Sequence, residues 1–571
     1  MSTPFEDIAM TSQKENMESK SDSIPSSVHQ VSQTDGEKPI PPPRNGTGGH
    51  GAFGEGVEER TDLKRQLKAR HIAMISIGGV IGTGLFLGTG NALANGGPLG
   101  LFLGYALMGS ICYCTMISLG EMVSYLPLPG GPVKLSSRYF DDSLAFALGW
   151  NYWFNWVVIM PTEISAAAVL INLWQKTISN ALWITICLLV VLAINLLGTG
   201  VYGECEFWFA SIKVITITGL IILGIIITSG GGPDHRSIGF QYWRHPGPFV
   251  QYDGIGGAKG RFLGFWAVLT QAAFSYIGTE IVAIAAGEAK NPRRNIPKAI
   301  KKVYIRILIF YLGGTFIIGL LVPSDNEGLH LNSGTALASP FVIAIRNAGI
   351  PALPSIINAA LLTSAWSAAS SDLFTSSRAL YSLAMVGEAP RIFTRTTRRG
   401  TPLISVLFCA AFGGLAYMSL STSAGQAFKY LSNLTSSAGL ITWWGICLTY
   451  INFNKGLKVQ NISRSTLPYR SVLNNGAGAA WYAVILISII LFFQGFSLFL
   501  RNKWDSREFV TDYLPVWLFP ILWVGYKLVY RTRWRRAAEL DFITGLDVIE
   551  ADSYDEPQPT NVWGRTWATI I

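Results

Sequence analysis

About twelve apolar segments, each long enough to cross a lipid bilayer as a helix, recur along this chain of 571 residues. The first, residues 72–95, contains no charged side chain, and about 20 apolar residues in helical form match the hydrocarbon thickness of a membrane. Only 14% of the residues are charged, whereas about a quarter is usual in soluble proteins. The sequence therefore predicts an all-α polytopic membrane protein with about 12 transmembrane helices. The other segments lie near 99–125, 144–174, 182–198, 204–229, 262–288, 304–323, 351–385, 404–420, 426–453, 478–500 and 514–531.

Polar ends flank the predicted membrane domain. Residues 1–70 are rich in Ser, Thr, Glu, Lys, Pro and Gly, and such a composition buries too little apolar surface to fold. We therefore expect a disordered cytosolic tail over 1–70, a transmembrane domain over 71–531 and a second cytosolic tail over 532–571. Three tail lysines are candidates for ubiquitylation, with ubiquitin-ligase adaptors as partners of the tails, or else are part of an ordinary disordered composition: Lys14, Lys20 and Lys38.

Lysine and arginine predict the orientation of the spans. An even span count places both termini on one side, and four basic clusters share that side: "DLKRQLKAR", "KNPRRNIPKAIKK", "RIFTRTTRR" and "RTRWRR". Cytoplasmic loops of membrane proteins carry an excess of Lys and Arg, so both termini are predicted to be cytoplasmic. The net charge of +9 is explained in this way, and we expect no nucleic-acid partner.

Glycine is concentrated where a membrane helix can least tolerate it. The stretch "GGVIGTGLFLGTG" runs from Gly78 to Gly90 inside the first span. Irregular backbone at membrane depth survives only when it is buried in protein or lines a polar cavity. In span six, Ile277–Glu280 echoes Ile81–Gly84, and paired interruptions in two halves of a chain indicate a transporter binding site. The alternative is close helix packing through small residues.

Enzymatic chemistry has little support in this sequence. The six histidines all lie outside the apolar cores, the six cysteines lack zinc-site spacing, and no phosphate-binding G-x-x-x-x-G-K-[ST] loop occurs. We therefore expect no cofactor, no metal and no catalytic residues.

Several motifs resemble the fungal amino-acid permease family of the amino acid–polyamine–organocation superfamily. They are "HIAMISIGGVIGTGLF", "SLGEM", "YGECEFWFASIKV", "FSYIGTE" and "EAKNPRRNIPKAI", and "GGGPDHRSIGFQYWRHPGPF" is most similar to the dicarboxylic amino-acid permease branch. The resemblance implies a five-plus-five inverted repeat with broken helices 1 and 6, plus two extra helices. It also implies proton-coupled amino-acid uptake, for which we expect the plasma membrane as the location.

The same resemblance implies a substrate site. Backbone N–H groups of the first break would bind the substrate carboxylate, and carbonyls of the second break would bind its amino group. Phe274 and Tyr276 would form a gate over the substrate, or else pack in the core. The residues implied are Ile81, Gly82, Thr83 and Gly84 for the carboxylate, and Phe274, Ser275 and Ile277 for the amino group.

Ionisable residues inside the spans are functional candidates by default. Glu280, beside the second break, is predicted to carry the coupled proton or to cap broken backbone. Glu163 is predicted to line the side-chain pocket or share in coupling, with a structural hydrogen bond as the alternative. Lys213 of span five is the second residue predicted to take part in proton coupling, because the resemblance suggests that it stands where sodium sits in sodium-coupled relatives. Weaker pocket candidates are 370–372 and 433–439.

Glu163 also departs from the dicarboxylate branch, which carries an uncharged residue there. Because an anionic Glu163 would repel an acidic substrate, we expect neutral or a broad range of amino acids, and basic amino acids stay open as substrates. An acidic amino-acid permease and a non-transporting sensor of the same fold are the alternatives.

Overall fold

The computed structural model describes residues 69–74, 81–128, 130–175, 177–233, 235–281, 292–329, 339–420, 424–500 and 503–546. All of them belong to one compact unit, His50–Ile571. Two predicted features lie outside the described residues. One is the N-terminal tail up to residue 68, with Lys14, Lys20 and Lys38, and the other is the pair of glycines Gly78 and Gly79.

Helices account for every predicted span in the described part of the chain. A helix over Gly84–Tyr125 is divided at Gly97, where φ is +74°, into 84–96 (span 1) and 98–125 (span 2). Spans 3 to 12 then follow in chain order: Asp142–Ile171, Asn180–Leu196, Thr199–Thr228, Gly257–Tyr276, Pro297–Leu321, Leu353–Met385, Leu403–Leu420, Ala424–Val459, Gly478–Phe493 and Ser506–Tyr530.

Length and apolar composition alone identify eight membrane-crossing helices among the described residues. Span 4 is a shorter apolar helix, whereas spans 6 and 8 fall outside the eight. Span 8 buries serines along its length, including Ser364, Ser367 and Ser371, as expected for a helix that lines a polar interior. A separate short helix, Pro340–Asn347, precedes span 8, and its residues from Pro340 to Ile345 are buried.

Helices 1 and 6 are both interrupted. In the first, Ile81 and Gly82 are non-helical, and a π-helical turn follows over Gly84–Gly88. In the second, Gly257–Tyr276 ends at an extended Ile277, and Gly278 has a φ of +97° that only glycine adopts readily. Each break opens a group of five helices, as the sequence predicts.

Span 3 has its most extensive contacts with span 8. Span 3 packs along both span 8 and span 10, and span 2 packs along span 6. Ridges of apolar side chains fill these contacts, while small and polar residues concentrate at the breaks. The arrangement brings both breaks against the middle of spans 3 and 8.

A loop between spans 5 and 6 is fastened to the turn between spans 1 and 2. The N–H of Leu99 donates to the carbonyl of Pro248 over 2.9 Å. A Cβ at Gly97 would lie 2.8 Å from the same carbonyl oxygen, so only glycine permits this approach. We call residues 245–250 the loop clamp.

At the opposite end, residues 535–546 fold back after span 12 and form what we call the C-terminal strap. Phe542 is 1% exposed, and its ring stacks on Tyr139 with centroids 5.4 Å apart. Tyr125 donates its hydroxyl to the Phe542 carbonyl over 2.9 Å. Arg138 donates to the Asp541 carbonyl over 2.8 Å. The strap thus joins the end of span 2 to the short helix Gly131–Tyr139.

Candidate functional site

The two breaks touch each other. A Cβ built on Gly84 would lie 2.9 Å from the Cα of Ser275, which is closer than a real side chain allows. Ser275 is also hydrogen-bonded to the Tyr105 hydroxyl of span 2 at 2.8 Å. Glycine at position 84 therefore lets the broken ends of helices 1 and 6 meet.

A small cavity of about 40 Å³ lies between the breaks and spans 3 and 8. This is room for water, so an amino acid enters only when the walls move apart. The breaks supply Gly82, Gly84, Phe274, Ser275, Ile277, Gly278 and Ile281, and spans 3 and 8 supply Trp156, Ile159, Glu163, Ala368, Ser371 and Asp372.

Glu163 binds the first break directly. Its Oε1 accepts from the Thr83 hydroxyl at 3.0 Å and from the Thr83 backbone N–H at 3.4 Å. A Cβ at Gly82 would lie 2.8 Å from the same oxygen. The resemblance assigns the N–H of Thr83 to the substrate carboxylate, so a carboxylate of the protein already holds part of the expected anion site.

A cluster of ionisable groups lies between spans 5 and 8. Lys213 Nζ is 4.0 Å from Glu206 Oε1, and Ser367 donates to Glu206 Oε2 over 2.7 Å. Asp372 is only 4% exposed. Among the described residues, Lys213 Nζ, Glu206 Oε1 and Asp372 Oδ2 have no hydrogen-bond partner. Together with Glu163, three buried carboxyl groups thus surround one lysine.

Glu280 lies outside the cavity lining. Its Oε2 accepts from the indole N–H of Trp443 at 3.0 Å and from the N–H of Gly278 at 3.2 Å. This geometry matches the predicted cap on broken backbone. Its Oε1 has no hydrogen-bond partner in the described part of the chain, so one oxygen anchors the break and the other faces no described donor.

The predicted backbone site is only partly exposed to the cavity. Ile81 is fully buried, and its carbonyl accepts from Ser364 at 3.1 Å. Tyr276 lies outside the lining, where its ring stacks on Tyr311 with centroids 4.3 Å apart. Phe274 does line the cavity and packs edge-on against Phe428 of span 10. Of the two aromatic gate candidates, the geometry supports Phe274.

Several lining residues escaped the sequence analysis, although some had a signal. Trp156 and Ile159 precede Glu163 by seven and four positions, which places all three on one helix face. Glu206 likewise precedes Lys213 by two helical turns. The weakly predicted segment 370–372 contributes Ser371 and Asp372 to the cavity, whereas no residue of 433–439 lines it.

The broken helices, the polar cavity between them and the surrounding spans define a polytopic membrane transporter. The amino acid permease family model matches residues 71–539, and the chain belongs to this family. It is 42% identical over 511 residues to the dicarboxylic amino acid permease of Saccharomyces cerevisiae, covering 88% of this chain and 83% of that protein.

Other similar permeases are named for different substrates. The chain is 40% identical to the proline-specific permease of Emericella nidulans, over 90% of this chain and 94% of the relative. It is also 40% identical to the lysine-specific permease of Saccharomyces cerevisiae, over 90% of this chain and 83% of that relative. A crystal structure of a manganese transporter from Eremococcus coleocola shares the fold, with a TM-score of 0.53 and 12% sequence identity. The match covers 81% of this chain and 94% of the transporter. The chain is thus an amino-acid transporter and not an enzyme.

Proposed function

We propose that this permease imports amino acids across the plasma membrane together with protons, with both termini in the cytoplasm. The basic clusters of the sequence support the orientation. The observation that carries the proposal is the contact of Glu163 with Thr83, because it places an ionisable carboxyl group on the backbone expected to bind substrate. Substrate binding and protonation of Glu163 would then both affect the same segment, the break in helix 1.

The proposed substrate range is neutral or broad. Backbone groups of the two breaks bind the carboxylate and amino group that all amino acids share, so they set no limit on the side chain. The acidic alternative is favoured by the relative named a dicarboxylic amino acid permease. It is opposed by Glu163 and Asp372, whose carboxyl groups both line the cavity and repel a third carboxylate.

Uptake by the purified chain in proteoliposomes tests the proposal. Labelled amino acid should accumulate when the outside is made acidic, accumulate equally without sodium, and leak out when a protonophore is added. Sodium-dependent uptake that ignores the pH gradient contradicts proton coupling.

Counterflow separates a transporter from the sensor alternative. Vesicles loaded with unlabelled amino acid should take up labelled amino acid from outside by exchange, without any ion gradient. Binding of the label without counterflow would instead support a sensor of the same fold.

A further inference from the structure

Two carboxylates from different helices face the same cavity. Glu163 of span 3 and Asp372 of span 8 both line it, and both are at least nine-tenths buried. Glu163 Oε2 and Asp372 Oδ2 lack a hydrogen-bond partner among the described residues. Both oxygens are therefore open to a donor that the described protein itself does not supply.

The neighbouring lysine does not balance both charges. Lys213 Nζ approaches Glu206 within 4.0 Å, and Lys213 does not line the cavity. In the described part of the chain, no Lys, Arg or His nitrogen lies within 4.0 Å of Glu163 or Asp372. One lysine cannot balance the three buried carboxyl groups that surround it, Glu206, Glu163 and Asp372, and a buried carboxylate without a countercharge is unfavourable. A cation or a proton from outside the protein is therefore needed to neutralise the remainder.

The position of the two carboxylates relative to the breaks suggests which part of a substrate they face. The breaks offer backbone groups to the α-carboxylate and α-amino group, and Asp372 and Ser371 belong to the wall that span 8 contributes. Glu163 of span 3 contacts the first break through Oε1, whereas its Oε2 has no partner among the described residues. A side chain that extends away from the breaks therefore points toward spans 3 and 8. The apolar lining residues of span 3, Trp156 and Ile159, can pack on the methylene stem of a long side chain.

We propose that Asp372 is a specificity-determining residue that makes amino acids with a cationic side chain the preferred substrates within the broad range. An ammonium or guanidinium group would lie between Asp372 and Glu163 and donate to their unpartnered oxygens. The inference rests on the proposed function and narrows it to one substrate class. Neutral amino acids are transported less well, because protons alone must then neutralise the wall.

Competition between matched pairs tests the inference with the full chain in proteoliposomes. Arginine and citrulline have similar shapes, as do lysine and norleucine, but only the first of each pair is cationic. Each of these four amino acids, unlabelled, is added as a competitor, and the uptake of one labelled amino acid is measured. We expect arginine to outcompete citrulline by about tenfold or more, as hydrogen bonds to charged groups typically contribute.

Asp372→Asn should reduce the arginine-to-citrulline ratio by about tenfold, since the amide keeps the size of the side chain and removes its charge. Asp372→Glu keeps the charge and should retain most of the preference. Asp512→Asn is the matched control, because Asp512 is also 4% exposed but binds Asn433 Nδ2 at 2.7 Å outside the cavity lining. That variant should keep the parent ratio.

Each outcome decides the inference. Equal competition by arginine and citrulline in the parent overturns it, whatever the variants do. A cation preference that Asp372→Asn leaves intact overturns the role of Asp372. If no amino acid is taken up at all, the proposed function fails instead, so the two failures are distinguishable.

Discussion

Glu163 shows how a single carboxyl group can connect substrate binding with charge. It accepts from the Thr83 N–H that the resemblance assigns to the substrate carboxylate. Two carboxylates cannot share this donor without strong repulsion. Binding of substrate therefore requires Glu163 to move away or to take up a proton.

Glu163→Gln is predicted to shift selectivity toward acidic amino acids. The amide oxygen can still accept from the Thr83 hydroxyl, whereas the negative charge at the cavity is removed. We expect aspartate and glutamate to compete about tenfold better than in the parent, as removal of a buried like charge allows. A competition panel on surface-positive cells measures this, and an unchanged substrate ranking would remove the main argument against acidic substrates.

Glu280→Gln addresses coupling at the second break. The amide preserves an acceptor for Trp443 or Gly278 but cannot release a proton. We expect the variant to exchange internal for external substrate and to lose accumulation against a gradient. Accumulation at the parent level would show that the essential proton is carried elsewhere, whereas loss of both activities with poor surface expression would indicate a purely structural cap.

At the scale of the elements, the contact between helices 1 and 6 determines whether the site exists. Gly84→Ala is predicted to reduce uptake by more than about tenfold, because its Cβ would lie 2.9 Å from the Ser275 Cα and packed backbone yields little. Gly88→Ala is the control, since a Cβ there meets nothing within 4 Å. Both variants must first be shown at the cell surface, and equal uptake by the two would contradict the importance of this contact.

Local patterns allowed the helices and both breaks to be predicted, because glycine content and apolar length are properties of adjacent residues. The contact of Gly84 with Ser275 could not be derived in this way, since it joins residues far apart in the chain. Asp372 was predicted only as one of several weak pocket candidates in 370–372, because nothing near it in sequence indicates that span 8 faces Glu163. The Glu206–Lys213 spacing did carry a helical signal that identifies one face of span 5.

At the scale of the whole molecule, the C-terminal strap joins distant parts of the chain. Phe542→Ala removes a ring that is 1% exposed, and such a truncation typically costs about 3–5 kcal/mol. We expect the strap to detach and limited proteolysis between residues 535 and 546 to accelerate. Ile543→Ala is the control, because Ile543 is 80% exposed, and similar cleavage rates for the two variants would show that the strap is not held by Phe542.

The loop clamp has a consequence for how the permease could be inhibited. Because the Pro248 carbonyl binds the N–H of Leu99, the loop is attached to the turn that ends span 1, the helix that carries the first break. Under the proposed orientation this loop faces the outside of the cell. An antibody fragment that binds residues 245–250 would therefore restrain the movement of helix 1 from the cell surface. It would block uptake without competing with the amino acid for the substrate site.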